Sequence, residues 1–153
     1  MAWRGPWLVG HVLTVLGGYA SLLLASVAAA MYLLQFRALK QKEFGNVFRF
    51  FPSLESLDRM NRIGLAVGLS TLAVGLLVGW SLTLTFEREF SLTDRDVAFG
   101  LITWTAYAAA LAARGLPERW GPKTATVSVV AFVASGLAFL VFRSFGGATA
   151  LFL

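Results

Sequence analysis

The sequence contains no cysteine and only one histidine, His11. Without cysteine, disulfide bonds, thiolate catalysis and cysteine-ligated metal sites are all excluded. A Ser/His catalytic pair also lacks support, because the serines lie in apolar segments or in one loop that we expect at the membrane interface. We therefore predict that this chain is not an enzyme.

Charged residues are absent over long stretches. From Gly5 to Phe36 there is no Asp, Glu, Lys or Arg, and 58% of the whole chain is hydrophobic. A hydrocarbon core of ~30 Å is crossed by about 20 apolar helical residues, and the chain supplies that length four times. We predict an all-α integral membrane protein in which a single domain forms one bundle of four transmembrane helices, over residues 7–36, 62–86, 97–113 and 124–143.

A cleaved signal peptide is the alternative for the first segment. Arg4 precedes the apolar run, and Ala28 to Ala30 resemble a small-residue cleavage site. The apolar core of a signal peptide is only ~7–15 residues long, however, and this run is about twice that length. We therefore favour a membrane span.

The basic residues predict the orientation, since Lys and Arg are retained on the cytoplasmic side. The segments between spans one and two and between spans three and four hold nine of the thirteen: Arg37, Lys40, Lys42, Arg49, Arg59, Arg62, Arg114, Arg119 and Lys123. This places both termini and the loop of residues 87–96 outside, on the periplasmic side of a bacterial inner (plasma) membrane. The same bias, with some attraction to anionic membrane lipid, accounts for the net charge of +5 without a nucleic-acid partner.

The first cytoplasmic loop also has a helix-start pattern. Pro52 and Ser53 precede Glu55 and Asp58, so Ser53 can cap a helix whose first turns carry favourable negative charge. Together with four phenylalanines earlier in the loop, this predicts a short amphipathic helix on the inner membrane surface.

The second span carries small residues on one face, at ~100° per residue: Gly64, Gly68, Thr71, Gly75 and Gly79. Small residues allow membrane helices to approach closely, and Ser21, Ala25 and Ala29 offer a matching face on the first span. We favour packing within the bundle over a homodimer interface. The central parts of the spans carry no charge, which argues against a pump or a transporter of charged substrates.

His11 has two interpretations. It lies about 9 Å beyond Gly17, at 1.5 Å per residue, which places it near the outer interface. As a structural residue it would hydrogen-bond to a neighbouring loop or to water; as a haem ligand it would need an apolar pocket and a second ligand from elsewhere. The outer-loop carboxylates, which include Asp94, match no calcium-loop spacing, and a solvated loop explains them better.

Several segments resemble one family in order and spacing. The run WLVGHVLTVLGGYASLLLASVAAAMYLL from Trp7, PSLESLDRMNRIGLAVG from Pro52 and LITWTAYAAALAARGLPERWGPKTA from Leu101 are similar to the cytochrome c assembly protein family, in particular to its HemX-like and CcsA-like members. The resemblance covers residues 7–145.

The resemblance implies haem handling on the outer side of the membrane. It implies candidate haem contacts at His11, Asp94, Phe99 and Trp104, with His11 as the iron ligand. The family's tryptophan-rich loop falls on residues 93–97, where only Asp94 agrees, and Phe99 stands where another Trp is usual. The pattern thus implies a scaffold that has kept the fold and lost most of its haem-ligating loop.

Two functions follow as expectations. The first is a non-catalytic, HemX-like accessory membrane protein in cytochrome c or haem biogenesis, which contacts haem on the outer side and acts with other assembly components. The alternative is a structural subunit recruited into a larger respiratory or photosynthetic membrane complex.

Overall fold

Helices account for all the regular structure in the described parts of the chain. A computed structural model describes residues 4–42, 52–85, 95–113 and 121–149. It contains α1 (Arg4–Lys40), α2 (Leu54–Thr85), α3 (Arg95–Ala113) and α4 (Gly121–Thr149). The predicted all-α fold with four helices in this order is confirmed.

Three of these helices are long and apolar enough to cross a membrane: the segments Pro6–Lys40, Leu54–Leu82 and Pro122–Val141. The apolar part of α3, Val97–Ala113, is shorter and extends about 25 Å at 1.5 Å per residue. This length is at the lower end of what a transmembrane helix needs. The chain is therefore a helical membrane protein with three clear spans and a fourth, shorter apolar helix.

The helices pack as a ring in which α1 contacts α2 and α4, and α3 contacts α4 and α2. The interface between α1 and α2 is the most extensive of these. A cluster of buried side chains joins all four helices: Leu22, Ala25, Leu65, Leu69, Leu72, Tyr107, Ala110 and Ala131. Three of these eight residues are alanines, whose small side chains allow the helix axes to lie close together.

Glycines allow α1 and α2 to meet at backbone distance along a line that we call the glycine seam: Gly18, Gly64, Gly68, Gly75 and Gly79. A Cβ at position 64 would lie 2.9 Å from the Ala25 Cβ and 3.2 Å from the Ser21 carbonyl oxygen. A Cβ at position 18 would lie 3.0 Å from the Leu72 amide nitrogen. Since lipid provides no hydrophobic drive for helix association, close van der Waals contact of this kind is a main source of its stability.

The predicted start of α2 is confirmed, but the predicted surface helix is not formed over residues 54–61. The Ser56 amide donates to the Ser53 hydroxyl over 3.2 Å, which caps the helix. From Leu54 the helix then continues without a break to Thr85. The cause is the burial of Leu57 and Asn61, which lie on the same face as Leu65, so these first turns belong to the bundle. Residues 43–51 of this loop lie outside the described residues.

The end of α1 is tied to the start of α2. Lys42, which follows the helix, has a φ of 57°, the left-handed conformation that often terminates a helix. Arg37 and Lys40 lie in the last turn, where positive charge is favourable. The Gln35 side chain, one turn earlier, donates to the Pro52 carbonyl oxygen over 2.9 Å. The hydrogen bond between Gln35 and Pro52 thus holds the residues just before α2 next to the end of α1.

The glycine seam leads to a stability prediction. Gly64→Ala should lower the free energy of unfolding by about 1–3 kcal/mol, the usual cost of overpacking, because the added methyl would meet Ala25 and the α1 backbone. The measurement is helicity during SDS titration of the protein in mixed micelles. Gly136→Ala is the matched control, since a Cβ there meets nothing within 4 Å. Equal effects of the two substitutions would contradict the proposed cost of contact at the seam.

Candidate functional site

His11 lies against the backbone of α2 near the N-terminal end of α1. Its Nδ1 is 2.8 Å from the Gly75 carbonyl oxygen. A carbonyl oxygen can only accept, so Nδ1 carries the proton and donates it. In the neutral ring, Nε2 then holds the free lone pair. The hydrogen bond therefore selects one tautomer of the only histidine in the chain.

Gly79 of α2 provides the space for the imidazole. A Cβ at position 79 would lie 2.8 Å from His11 Cε1 and 3.2 Å from Nδ1. One turn earlier, a Cβ at position 75 would lie 2.8 Å from a methyl group of Val15. The structure thus gives His11 a helix backbone as its partner, where the structural interpretation of the sequence predicted a loop or water.

Phe99 belongs to an aromatic group between three helices. Its ring stacks on Tyr19 of α1, with centroids 5.8 Å apart and an interplanar angle of 18°. It also contacts Phe139 of α4 at 5.9 Å in a tilted arrangement. Phe99 therefore occupies a packing position in this structure, on the same helix as Trp104.

Trp104 lies at the interface between α2 and α3. Its indole nitrogen donates to the Leu69 carbonyl oxygen over 3.3 Å. The ring also lines an open groove of about 440 Å³, together with Leu69, Ser70, Ala73, Ala108, Leu111 and Ala112. Neither His11 nor Phe99 lines this groove, so the structure does not unite these three candidates in one pocket. Asp94, the fourth candidate, lies outside the described residues.

Buried neutral polar side chains form hydrogen bonds between the helices, which the sequence did not predict. Asn61 is 0% exposed; its amide donates to the Ala25 carbonyl oxygen over 2.6 Å and its side-chain oxygen accepts from Ser128 of α4 over 3.4 Å. One residue further along α1, Ser26 hydrogen-bonds to the Tyr107 hydroxyl of α3 over 3.0 Å. The sequence did carry a signal for these contacts, namely polar residues at helical spacing within apolar spans. Such residues commonly form hydrogen bonds between membrane helices.

The donor atoms for a metal are few. Among the described residues, no group of three or more His, Asp or Glu side chains could hold a metal ion. His11 offers one nitrogen lone pair, so any metal bound there would need its other ligands from a prosthetic group or from protein groups outside the described residues. Haem is a prosthetic group of this kind, because the porphyrin itself would supply four ligands to the iron.

These features define a helical membrane protein with an uncharged core and one orientated imidazole near the end of its first helix. The sequence profile described as "Cytochrome C assembly protein" matches residues 2–149. The chain belongs to this family.

Individual relatives agree with the family match. The chain is 26% identical to cytochrome c biogenesis protein CcsA of Guillardia theta, over 91% of this chain and 51% of the relative. It is 25% identical to CcsA of Chlamydomonas reinhardtii, over 91% of this chain and 38% of the relative. It is 33% identical to protein HemX of Brevibacillus brevis, over 47% of this chain and 28% of the relative.

The chain thus spans about half the length, or less, of the curated relatives that it matches. No solved structure matches the chain.

Proposed function

We propose that this protein is a non-catalytic accessory membrane protein in cytochrome c or haem biogenesis, and that it contacts haem on the outer side of the membrane through His11. Family membership supports a role in cytochrome c or haem biogenesis. The names of two relatives, cytochrome c biogenesis protein and HemX, support the same role. The observation that carries the residue-level proposal is the hydrogen bond from His11 Nδ1 to the Gly75 carbonyl oxygen.

The geometry of His11 fits a haem ligand. Imidazole is a common axial ligand of haem iron, and a metal-bound histidine usually donates its other ring N–H to a carboxylate or a backbone carbonyl. Here Gly75 fills that second role before any metal is present. When bound, haem would supply an iron that takes a nitrogen ligand. The chain itself would supply Nε2, hold the ring orientation and keep the proton on Nδ1.

The other three candidate haem contacts are Asp94, Phe99 and Trp104. Phe99 lies in the first turns of α3 and is proposed to lie at the outer end of the bundle with His11. Asp94 lies outside the described residues and is proposed as a haem contact from the resemblance to the family alone. Trp104 lies deeper and hydrogen-bonds to α2; we propose that it supports the position of α3 next to the haem face. A second iron ligand would come from an assembly partner.

We propose that both termini and the loop of residues 87–96 face the periplasm of a bacterial inner membrane, with α3 as a fourth crossing. The distribution of nine basic residues against four supports this orientation. It places His11 on the outer side, where a haem and an apocytochrome would meet.

A structural subunit of a larger membrane complex is the second candidate. The open groove between α2 and α3 favours it, because its lining includes the small residues Ser70, Ala73, Ala108 and Ala112. A helix of another subunit could pack closely against such a surface. In that case the relation to the family would record ancestry, and haem would not bind.

Haem binding by His11 can be tested directly. We expect the protein, isolated in mild detergent and separated from other proteins, to contain haem by visible absorption and pyridine haemochrome assay. His11→Ala should lose most of it, because the axial nitrogen is removed. Gly10→Ala is the control, since a Cβ at this neighbouring position meets nothing within 4 Å. A wild-type protein without haem, or a His11→Ala variant with unchanged haem, would overturn the proposal and favour the structural subunit.

The proposed orientation can be tested with single cysteines, because the natural chain has none and gives no background. A membrane-impermeant maleimide added to intact spheroplasts should label Ser91→Cys and should not label Gln41→Cys or Gly115→Cys until the membrane is opened. Labelling of Ser91→Cys and Gly115→Cys from the same side would show that α3 does not cross. Labelling of Gln41→Cys and Gly115→Cys from outside, with Ser91→Cys protected, would show the reverse orientation.

A further inference from the structure

The structure places a second glycine, Gly79, against the imidazole of His11. The Gly75 carbonyl lies at Nδ1, and the bare Cα of Gly79 lies beside the ring edge formed by Cε1 and Nδ1. The two glycines are four residues apart, so they occupy the same face of α2 on successive turns. One supplies the hydrogen-bond acceptor and the other supplies the space in which the ring meets that acceptor.

We propose that Gly79 is a positioning residue for His11, and that with the Gly75 carbonyl it fixes the ring with the proton on Nδ1 and Nε2 as the ligating nitrogen. This inference rests on the proposed haem contact in naming iron as the metal. It goes beyond that contact because it assigns the tautomer and the orientation of the His11 ring, and because it names Gly79 as the residue that enforces both.

The distance between the backbone at position 79 and the His11 ring is too short for an alanine side chain. A Cβ there would lie 2.8 Å from Cε1 and 3.2 Å from Nδ1, and real Cβ atoms essentially never approach another heavy atom to 2.8 Å. The imidazole would have to rotate or shift. Because the donor–acceptor distance is already 2.8 Å and hydrogen bonds depend strongly on distance and angle, this movement would break the bond to Gly75.

Loss of that bond has a chemical consequence. Free histidine in water favours the proton on Nε2, the nitrogen that we propose as the ligand. A ring released from Gly75 would therefore place a proton where the metal must bind. Loss of a hydrogen-bonding partner of this kind typically weakens metal binding by about 10- to 100-fold.

The tautomer can be measured in the haem-free protein. Because the chain has a single histidine, labelling with ring-¹⁵N histidine gives only one pair of ring nitrogen signals. We expect the wild type, in lipid nanodiscs at pH 9, to show a protonated Nδ1 and an unprotonated Nε2. This spectrum tests the proposal without any variant. A ring with the proton mainly on Nε2 would overturn it.

Gly79→Ala should remove the selection. Its spectrum should shift towards the Nε2-protonated form, and its affinity for added hemin should fall about 10-fold or more. Gly10→Ala, where the added methyl meets nothing within 4 Å, should keep both the wild-type spectrum and the wild-type affinity. If Gly79→Ala keeps a protonated Nδ1 and binds hemin like the wild type, Gly79 is not a positioning residue.

The two measurements separate this inference from the function on which it rests. A wild-type protein with a protonated Nδ1 that binds no hemin would overturn the haem proposal and leave the assigned geometry standing. A protein that binds hemin through His11 with equal affinity in wild type and Gly79→Ala would support the proposed function and overturn the role of Gly79.

Discussion

The contact between α1 and α2 at backbone distance is the constraint on which the other features depend. In lipid, apolar side chains gain little by leaving their surroundings for one another, so helices associate through close packing and hydrogen bonds. The glycine seam provides the packing, and each of its ends carries a side chain that hydrogen-bonds to the backbone of the opposite helix. Asn61 of α2 binds the Ala25 carbonyl at one end, and His11 of α1 binds the Gly75 carbonyl at the other. The same seam thus stabilises the pair and orientates the histidine.

The other two helices complete this pair through neutral polar groups. Ser128 joins α4 to Asn61, and Tyr107 joins α3 to Ser26. Such contacts resist the sliding of one helix along another without placing charge in the bilayer, where charge is costly. The proposed haem contact would stand at one end of this uncharged bundle, where the Gly75 carbonyl holds the single imidazole in one orientation.

The sequence predicted the features that repeat along the chain and missed those that depend on a particular pair of neighbours. Long apolar runs predicted four helices, and Ser53 predicted the start of α2. The predicted surface helix was not confirmed, because Leu57 and Asn61 are buried and their turns are continuous with the rest of α2. The small-residue face of α2 indicated close packing, but its spacing alone does not show that His11 meets Gly75 and Gly79. Contacts between residues 64 positions apart require the relative shift of the two helices, which side-chain sizes along the whole interface decide.

The most direct test of this account is a disulfide across the α1–α2 interface, introduced into the cysteine-free chain as Gly17→Cys with Thr71→Cys. A Cβ at position 17 would lie 3.8 Å from the Thr71 methyl carbon, so the side chains at these two positions face each other across the interface. After oxidation in native membranes, we predict a crosslink within one chain, detected as a monomer with altered mobility on non-reducing gels. Gly136→Cys with Thr71→Cys should give none. A crosslinked dimer would contradict the account, because the glycine seam would then join two chains and His11 would not be held by its own α2.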